Sequence, residues 1–133
     1  MPIKRLILTF FVASSLGYAG QITEDKGFQS IFAQKANDSK ILLMIYTAKS
    51  CPQCAYMKQK VFQDAEVKAY MDRYFVVLEK DIHQDELPDG FGYFGIPTMF
   101  FIDREGKEIG KVIGSSRPGT FLKTLETIRD KNR

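Results

Sequence analysis

KSCPQCAYMK, residues 49–58, holds Cys51 and Cys54, the only two cysteines in the chain. It follows directly on ILLMIY (residues 41–46), a continuous apolar run that begins just after Asn37-Asp38-Ser39. Such a run, set off by turn formers, reads as a strand buried on both faces, in the middle of a partly parallel sheet. Pro52 suits the first turn of a helix, where its missing N–H removes no hydrogen bond. The cysteine pair therefore falls at a strand-to-helix junction, with Cys51 at the helix start and Cys54 one turn further in.

The rest of the chain extends this pattern. Phe28, Ile31, Phe32 and Lys35 recur at helical spacing, which predicts a helix over residues 27–37. The helix opened by Pro52 is expected to run to about Phe62. Asp64 is a candidate N-cap for another helix, with Val67, Tyr70, Met71 and Tyr74 on one face. FVVL (residues 75–78) begins the next strand, and residues 83–95 are loop-like, with Pro88, Gly90, Gly92 and Gly95. TMFFI (residues 98–102) is a strand, residues 103–106 a turn, and residues 107–113 its weakly alternating hairpin partner. Pro118 opens a last helix carrying Phe121, Leu122, Leu125 and Ile128. The expected class is α/β: a central mixed sheet of about four strands flanked by helices.

A chain of 133 residues, 44% hydrophobic and 26% charged, is enough for one domain with a core that needs no disulfide. Its N-terminus reads as an export leader. Met1 to Arg5 make a short positive start, residues 6–16 are mostly apolar, and Gly17-Tyr18-Ala19 places small residues where a signal peptidase reads. Cleavage before Gly20 divides the chain into a signal peptide, 1–19, and a folded domain, 20–133. The apolar run is shorter than the roughly 20 residues of a membrane span, which favours a cleaved leader; an uncleaved anchor is the alternative, and after cleavage no stable membrane insertion is expected. No cysteine follows the cleavage site to take a lipid. The formal charge of +3 loses Lys4 and Arg5 with the leader, leaving 17 basic against 16 acidic residues. That balance gives no ground for a nucleic-acid partner. The expected address is periplasmic, where disulfide chemistry operates.

Three chemistries compete for the pair. As a staple, a disulfide across so short a loop gives roughly 2 kcal/mol before strain, against about 3 for a fifteen-residue loop. As a metal site it lacks partners: structural zinc wants four ligands, and the chain adds only His83, which reads as a solvated loop residue. Two thiolates suit Cu(I), but no methionine-rich or second cysteine motif accompanies them. The redox reading explains the position. At a helix start, Cys51 meets unpaired N–H groups and the positive end of the dipole, which favour its thiolate. An unperturbed thiol is only ~3% ionised at pH 7. Cys54, one turn deeper, is shielded and able to attack Cys51 once a mixed disulfide has formed.

Together with FGYFGIPTMFFID (residues 91–103) and the closing hairpin and helix, the motif resembles the thioredoxin superfamily from about Ile41 onward. The combination of Cys51-Pro52-Gln53-Cys54 with Gly95-Ile96-Pro97-Thr98 about forty residues later carries the match. The resemblance implies that Pro97 is cis and lies against the cysteines, leaving the Ile96 backbone to pair with an incoming peptide strand. An ordinary trans proline opening an edge strand is the alternative. More narrowly, SCPQCAYMKQKVFQDAEVKAYM and FVVLEKDI look like the exported thioredoxin-like proteins, such as the SoxW type and the C-terminal domain of DsbD.

The implied function is exchange of electrons with protein disulfides. Cys51 and Cys54 would be catalytic; Pro52, Gln53, Ile96, Pro97 and Thr98 would shape the site. No metal and no cofactor beyond the Cys51–Cys54 disulfide are implied. The implied partners are disulfide-containing substrate proteins and an upstream membrane or periplasmic thiol reductant.

The sequence also departs from the family pattern. Ser50 stands where many members have Trp, and the chain has none. Ile45 stands where many have a buried Asp that assists proton transfer. Glu79 is either its substitute from the next strand or a solvated strand-end acid. Lys49 and Lys58 either favour the thiolate or serve solubility. Tyr93 and Phe94 either form an apolar docking surface or pack ordinarily. Pro52 in the first slot resembles glutaredoxins and the oxidant DsbA, whereas Ile96 and the lack of a helical insertion match reductants. A reductant or electron carrier is the favoured role. An oxidase or isomerase is the alternative, and a thioredoxin-fold binding or chaperone module is the alternative of another class.

Overall fold

The structure, a computed structural model, describes residues 40–133. The leader and the helix expected over residues 27–37 lie outside the described residues. Four strands form one sheet: β1 (Ile41–Thr47), β2 (Phe75–Asp81), β3 (Thr98–Ile102) and β4 (Glu108–Ile113). Their order is β2-β1-β3-β4, with β1 parallel to β2 and both other pairings antiparallel. The α/β class and the mixed four-stranded sheet are those expected from the sequence.

All seven residues of β1 are buried, which is why that stretch reads as an unbroken apolar run. Its side chains alternate between two clusters. Ile41, Leu43 and Ile45 join Met57, Val61, Phe62, Val67, Met71, Phe121 and Leu125 from the helices. Leu42, Met44 and Tyr46 join Val76, Phe91, Phe100 and Ile102, with Ile82, Leu87 and Ile96 packed against them from the loop that leads to β3.

Helix α1 (Pro52–Tyr56) follows β1 after a short turn, and its helical path continues as a π-helical segment through residues 57–61. The Phe62 N–H donates to the Met57 carbonyl at 2.8 Å, a span of five residues. A plain α-helix would place Phe62 roughly 140° round from Met57. The wider turn brings Met57, Val61 and Phe62 into one cluster. Helix α2 (Ala65–Tyr74) starts at Asp64, whose carboxylate accepts from the N–H groups of Glu66 and Val67 at 3.2 and 3.3 Å. Helix α3 (Pro118–Lys131) buries Phe121 and Leu125.

The weak alternation of β4 has a cause. Phe101 pairs with Gly110 but Ile102 pairs with Glu108, so Ile109 is the extra residue of a bulge. The bulge turns Ile109 to the same side as Val112, and both pack on the helix-side cluster.

Candidate active site

The end of β1 gathers the functional candidates. Tyr46 pairs with Thr98, so Pro97, one residue earlier, stands across from Thr47, where the chain leaves the sheet for the cysteine motif. The Ile96–Pro97 peptide bond is cis. The Pro97 carbonyl accepts from the Gly114 N–H at 2.8 Å, which ties the loop after β4 to the same edge.

Cys51 and Cys54 are joined by a disulfide, with Cα atoms 5.2 Å apart. Cys51 is the N-cap of α1: its backbone is extended, and its Sγ accepts the Cys54 N–H at 3.1 Å. One of the helix's unpaired donors is thus already aimed at this sulfur. Both cysteines are largely covered, Cys51 at 9% exposure and Cys54 at 2%. Pro52 and Gln53 between them are exposed. Cys54 is the more deeply buried of the two.

The remaining candidates divide. Ile96 is half-buried on the loop that approaches β3. Thr98 is fully buried, and its hydroxyl donates to the Gly95 carbonyl at 2.6 Å, so it holds the loop from inside. Tyr93 sets its ring edge-on against buried Tyr46, with centroids 5.5 Å apart. Phe94, next to it, is 96% exposed. Tyr93 therefore packs on the core while remaining 38% exposed, and Phe94 projects.

Lys58 and Glu79 meet each other: Nζ lies 2.8 Å from Oε1, with both side chains near half exposure. Glu79 is the register partner of Ile45, as its position on the next strand suggested, yet its carboxylate sits in a surface ion pair. Lys49 is exposed, and so is His83, whose backbone N–H caps onto the Asp81 carboxylate at 2.9 Å. Among the described residues, no group of three or more His, Cys, Asp or Glu side chains could hold a metal ion. Among the same residues, no helix is long and apolar enough to cross a membrane.

Sequence reading passes over Thr47 and Ser116. Both carry side-chain oxygens that are buried with no hydrogen-bond partner in the protein, as does Tyr46. The Ser116 N–H donates to the Met57 sulfur at 3.4 Å, which puts Ser116 beside the same helix. Burial of Tyr46, and secondarily the neighbouring Tyr93, push its phenol up to about 12 from the ordinary 10.0. A buried hydroxyl on an apolar strand has no signature in the sequence beyond its place in the alternation.

Comparison with known proteins places the chain in a family. The model of the thioredoxin-like domain matches residues 28–129. The thiol:disulfide interchange protein DsbD of Actinobacillus pleuropneumoniae is 28% identical over 92% of this chain, which spans only 25% of that relative's length. The C-terminal domain of Neisseria meningitidis DsbD, in its reduced form, superposes with a TM-score of 0.59 at 20% identity, covering 75% of this chain and 89% of its own. The periplasmic thioredoxin SoxS of Paracoccus pantotrophus gives a TM-score of 0.58 at 16% identity, covering 71% of this chain and 100% of its own. At these identities the two structures speak to the fold. Matched over more than half its length by the domain model, and carrying a CxxC disulfide, the chain belongs to the thioredoxin-like family of thiol–disulfide oxidoreductases.

Proposed function

We propose that this protein is a periplasmic thiol:disulfide oxidoreductase that works as a reductant or electron carrier, delivered by a leader over residues 1–19. The observation that carries the reading is the placement of the pair: Cys51 is the N-cap of α1, its Sγ already receiving the Cys54 N–H, and Cys54 is the more deeply buried of the two. In the reduced protein, the Cys51 thiolate attacks one sulfur of a substrate disulfide, and the other substrate sulfur leaves as a thiolate. Cys54, deprotonated, then attacks the Cys51 sulfur. The Cys51–Cys54 bond forms, the mixed disulfide breaks, and the second substrate thiolate departs. Two electrons have passed to the substrate, and the pair waits for an upstream membrane or periplasmic dithiol to reduce it again.

Ile96 and Pro97 are the residues assigned to strand docking, with Pro52 and Gln53 exposed at the mouth and Thr98 bracing the loop. Phe94 supplies apolar contact surface beside them. The likeness to DsbD, named as a thiol:disulfide interchange protein, supports the chemistry, and the leader-like residues 1–19 support the address.

The test is the equilibrium reduction potential of the pair, titrated against glutathione and dithiothreitol. A value near −270 mV, about that of thioredoxin, is expected for a reductant. A value near −120 mV, about that of DsbA, would replace it with an oxidase role. Cys54→Ser is expected to accumulate mixed disulfides through Cys51 with periplasmic proteins. A Cys54→Ser protein that traps nothing, while the pair cycles normally with dithiothreitol, would remove protein disulfides as the substrate.

A further inference from the structure

Thr98 opens β3 and is fully buried, with Tyr46 of β1 across from it on one side and Ile113 of β4 on the other. Its hydroxyl reaches back along the chain and donates to the Gly95 carbonyl at 2.6 Å. A bond to a fully buried side chain turns that carbonyl inward, away from anything arriving from solvent. The Pro97 carbonyl is also taken, by the Gly114 N–H at 2.8 Å, and proline has no N–H to offer. Ile96 lies between these two anchored carbonyls and is half-buried. Among the described residues, neither its N–H nor its own carbonyl has a hydrogen-bond partner.

An extended chain that docks antiparallel exchanges both N–H···O bonds with one facing residue. That residue must have both groups open. Over residues 95–97, Pro97 has neither, Gly95 lacks only its carbonyl, and Ile96 has both. The Thr98 hydroxyl is therefore what keeps Gly95 from being a second, competing docking point. Docking on Gly95 would slip the incoming chain by one residue, about 3.4 Å along a strand, and turn its side chains to the opposite face. A slip of that size exceeds the length of the S–S bond to be formed, about 2 Å.

We propose that Thr98 is a positioning residue that sets the substrate register: its hydroxyl holds the Gly95 carbonyl inward, so that a substrate strand docks on Ile96 alone and presents its disulfide to Cys51 in one alignment. The hydroxyl acts through the Gly95 carbonyl and not on the sulfurs, so it leaves the dithiol–disulfide equilibrium of the pair untouched.

This inference rests on the docking role assigned to Ile96, and one experiment separates the two. The probe is an extended synthetic peptide with a single cysteine, activated as its mixed disulfide with thionitrobenzoate. The same peptide is also made N-methylated at one backbone nitrogen at a time. The Cys51 thiolate of the reduced protein attacks the peptide sulfur and the coloured aryl thiolate leaves; Cys54 then attacks Cys51 and the peptide thiolate departs. The colour reports the first step. In the wild type, N-methylation is expected to slow that step at one position only, by about tenfold, for the loss of one hydrogen bond. Thr98→Val keeps the shape and removes the donor. It should spread the loss over two neighbouring positions, neither exceeding about threefold. Thr98→Ser keeps the hydroxyl and should retain the single position. Both variants should hold the wild-type equilibrium with dithiothreitol. Equal losses at two neighbouring positions in the wild type would overturn the proposal without recourse to any variant. So would a Thr98→Val protein that keeps the single sensitive position, or a Thr98→Ser protein that loses it. A wild type indifferent to N-methylation at every position would remove the Ile96 docking reading itself.

Discussion

Tyr46 is fully buried, stacks edge-on with Tyr93 and Phe100, and leaves its hydroxyl without a partner. Its phenol ionises near 12 in the folded chain and near 10.0 when unfolded. Below pH 10 both states hold the proton, and the pH has no grip on stability through this group. Between pH 10 and 12 the unfolded state loses its proton first, so stability falls as pH rises, by up to roughly 3 kcal/mol once the folded phenol also ionises. Tyr46→Phe should remove this alkaline loss. Urea unfolding of both proteins from pH 9 to 12 should show the two curves separating above pH 10. Phe94 behaves in the opposite way. With 96% of its surface in solvent, its replacement by serine should change stability by less than about 0.5 kcal/mol. If it contacts substrates, Phe94→Ser should slow reduction of insulin several-fold and leave exchange with glutathione disulfide unchanged.

At the scale of elements, α2 depends on its cap. Asp64 serves the N–H groups of Glu66 and Val67 together, and Glu66 adds an acid to the first turn. Asp64→Ala should cost about 1 kcal/mol, seen as a lower urea midpoint with unchanged slope. This cap was legible in the sequence because the oxygen and the amides it serves lie within three residues of one another. The π-helical turn after α1 was not. Residues 52–62 carry an acceptable α-helical pattern, and the wider turn arises because Met57, Val61 and Phe62 all find room against β1 and α3. The bulge at Ile109 has the same origin: β4 takes an extra residue so that Ile109 and Val112 both reach the helix-side cluster.

For the whole molecule, stability resides in the two faces of β1. Leu43 is fully buried in the helix-side cluster, and Leu43→Ala should cost about 2–5 kcal/mol in denaturant unfolding. The Lys58–Glu79 pair, near half exposed on both sides, should contribute less than about 1 kcal/mol, and Lys58→Ala should show this in the same measurement. Central strand, the Asp64-capped helix, hairpin and cysteine pair were readable from the chain because each is set by residues near one another: apolar runs, a cap oxygen, turn glycines and a two-residue spacing. The sequence by itself therefore determined the α/β class, the elements that build the sheet and the position of Cys51 and Cys54 at a strand-to-helix junction. Only the tertiary structure decided that Glu79 is engaged with Lys58, that Tyr93 rests partly against Tyr46 while Phe94 projects, and that the hydroxyls of Thr47 and Ser116 are buried without partners. Those outcomes depend on groups brought together from distant parts of the chain, and packing and solvent exposure have no value until the chain has folded.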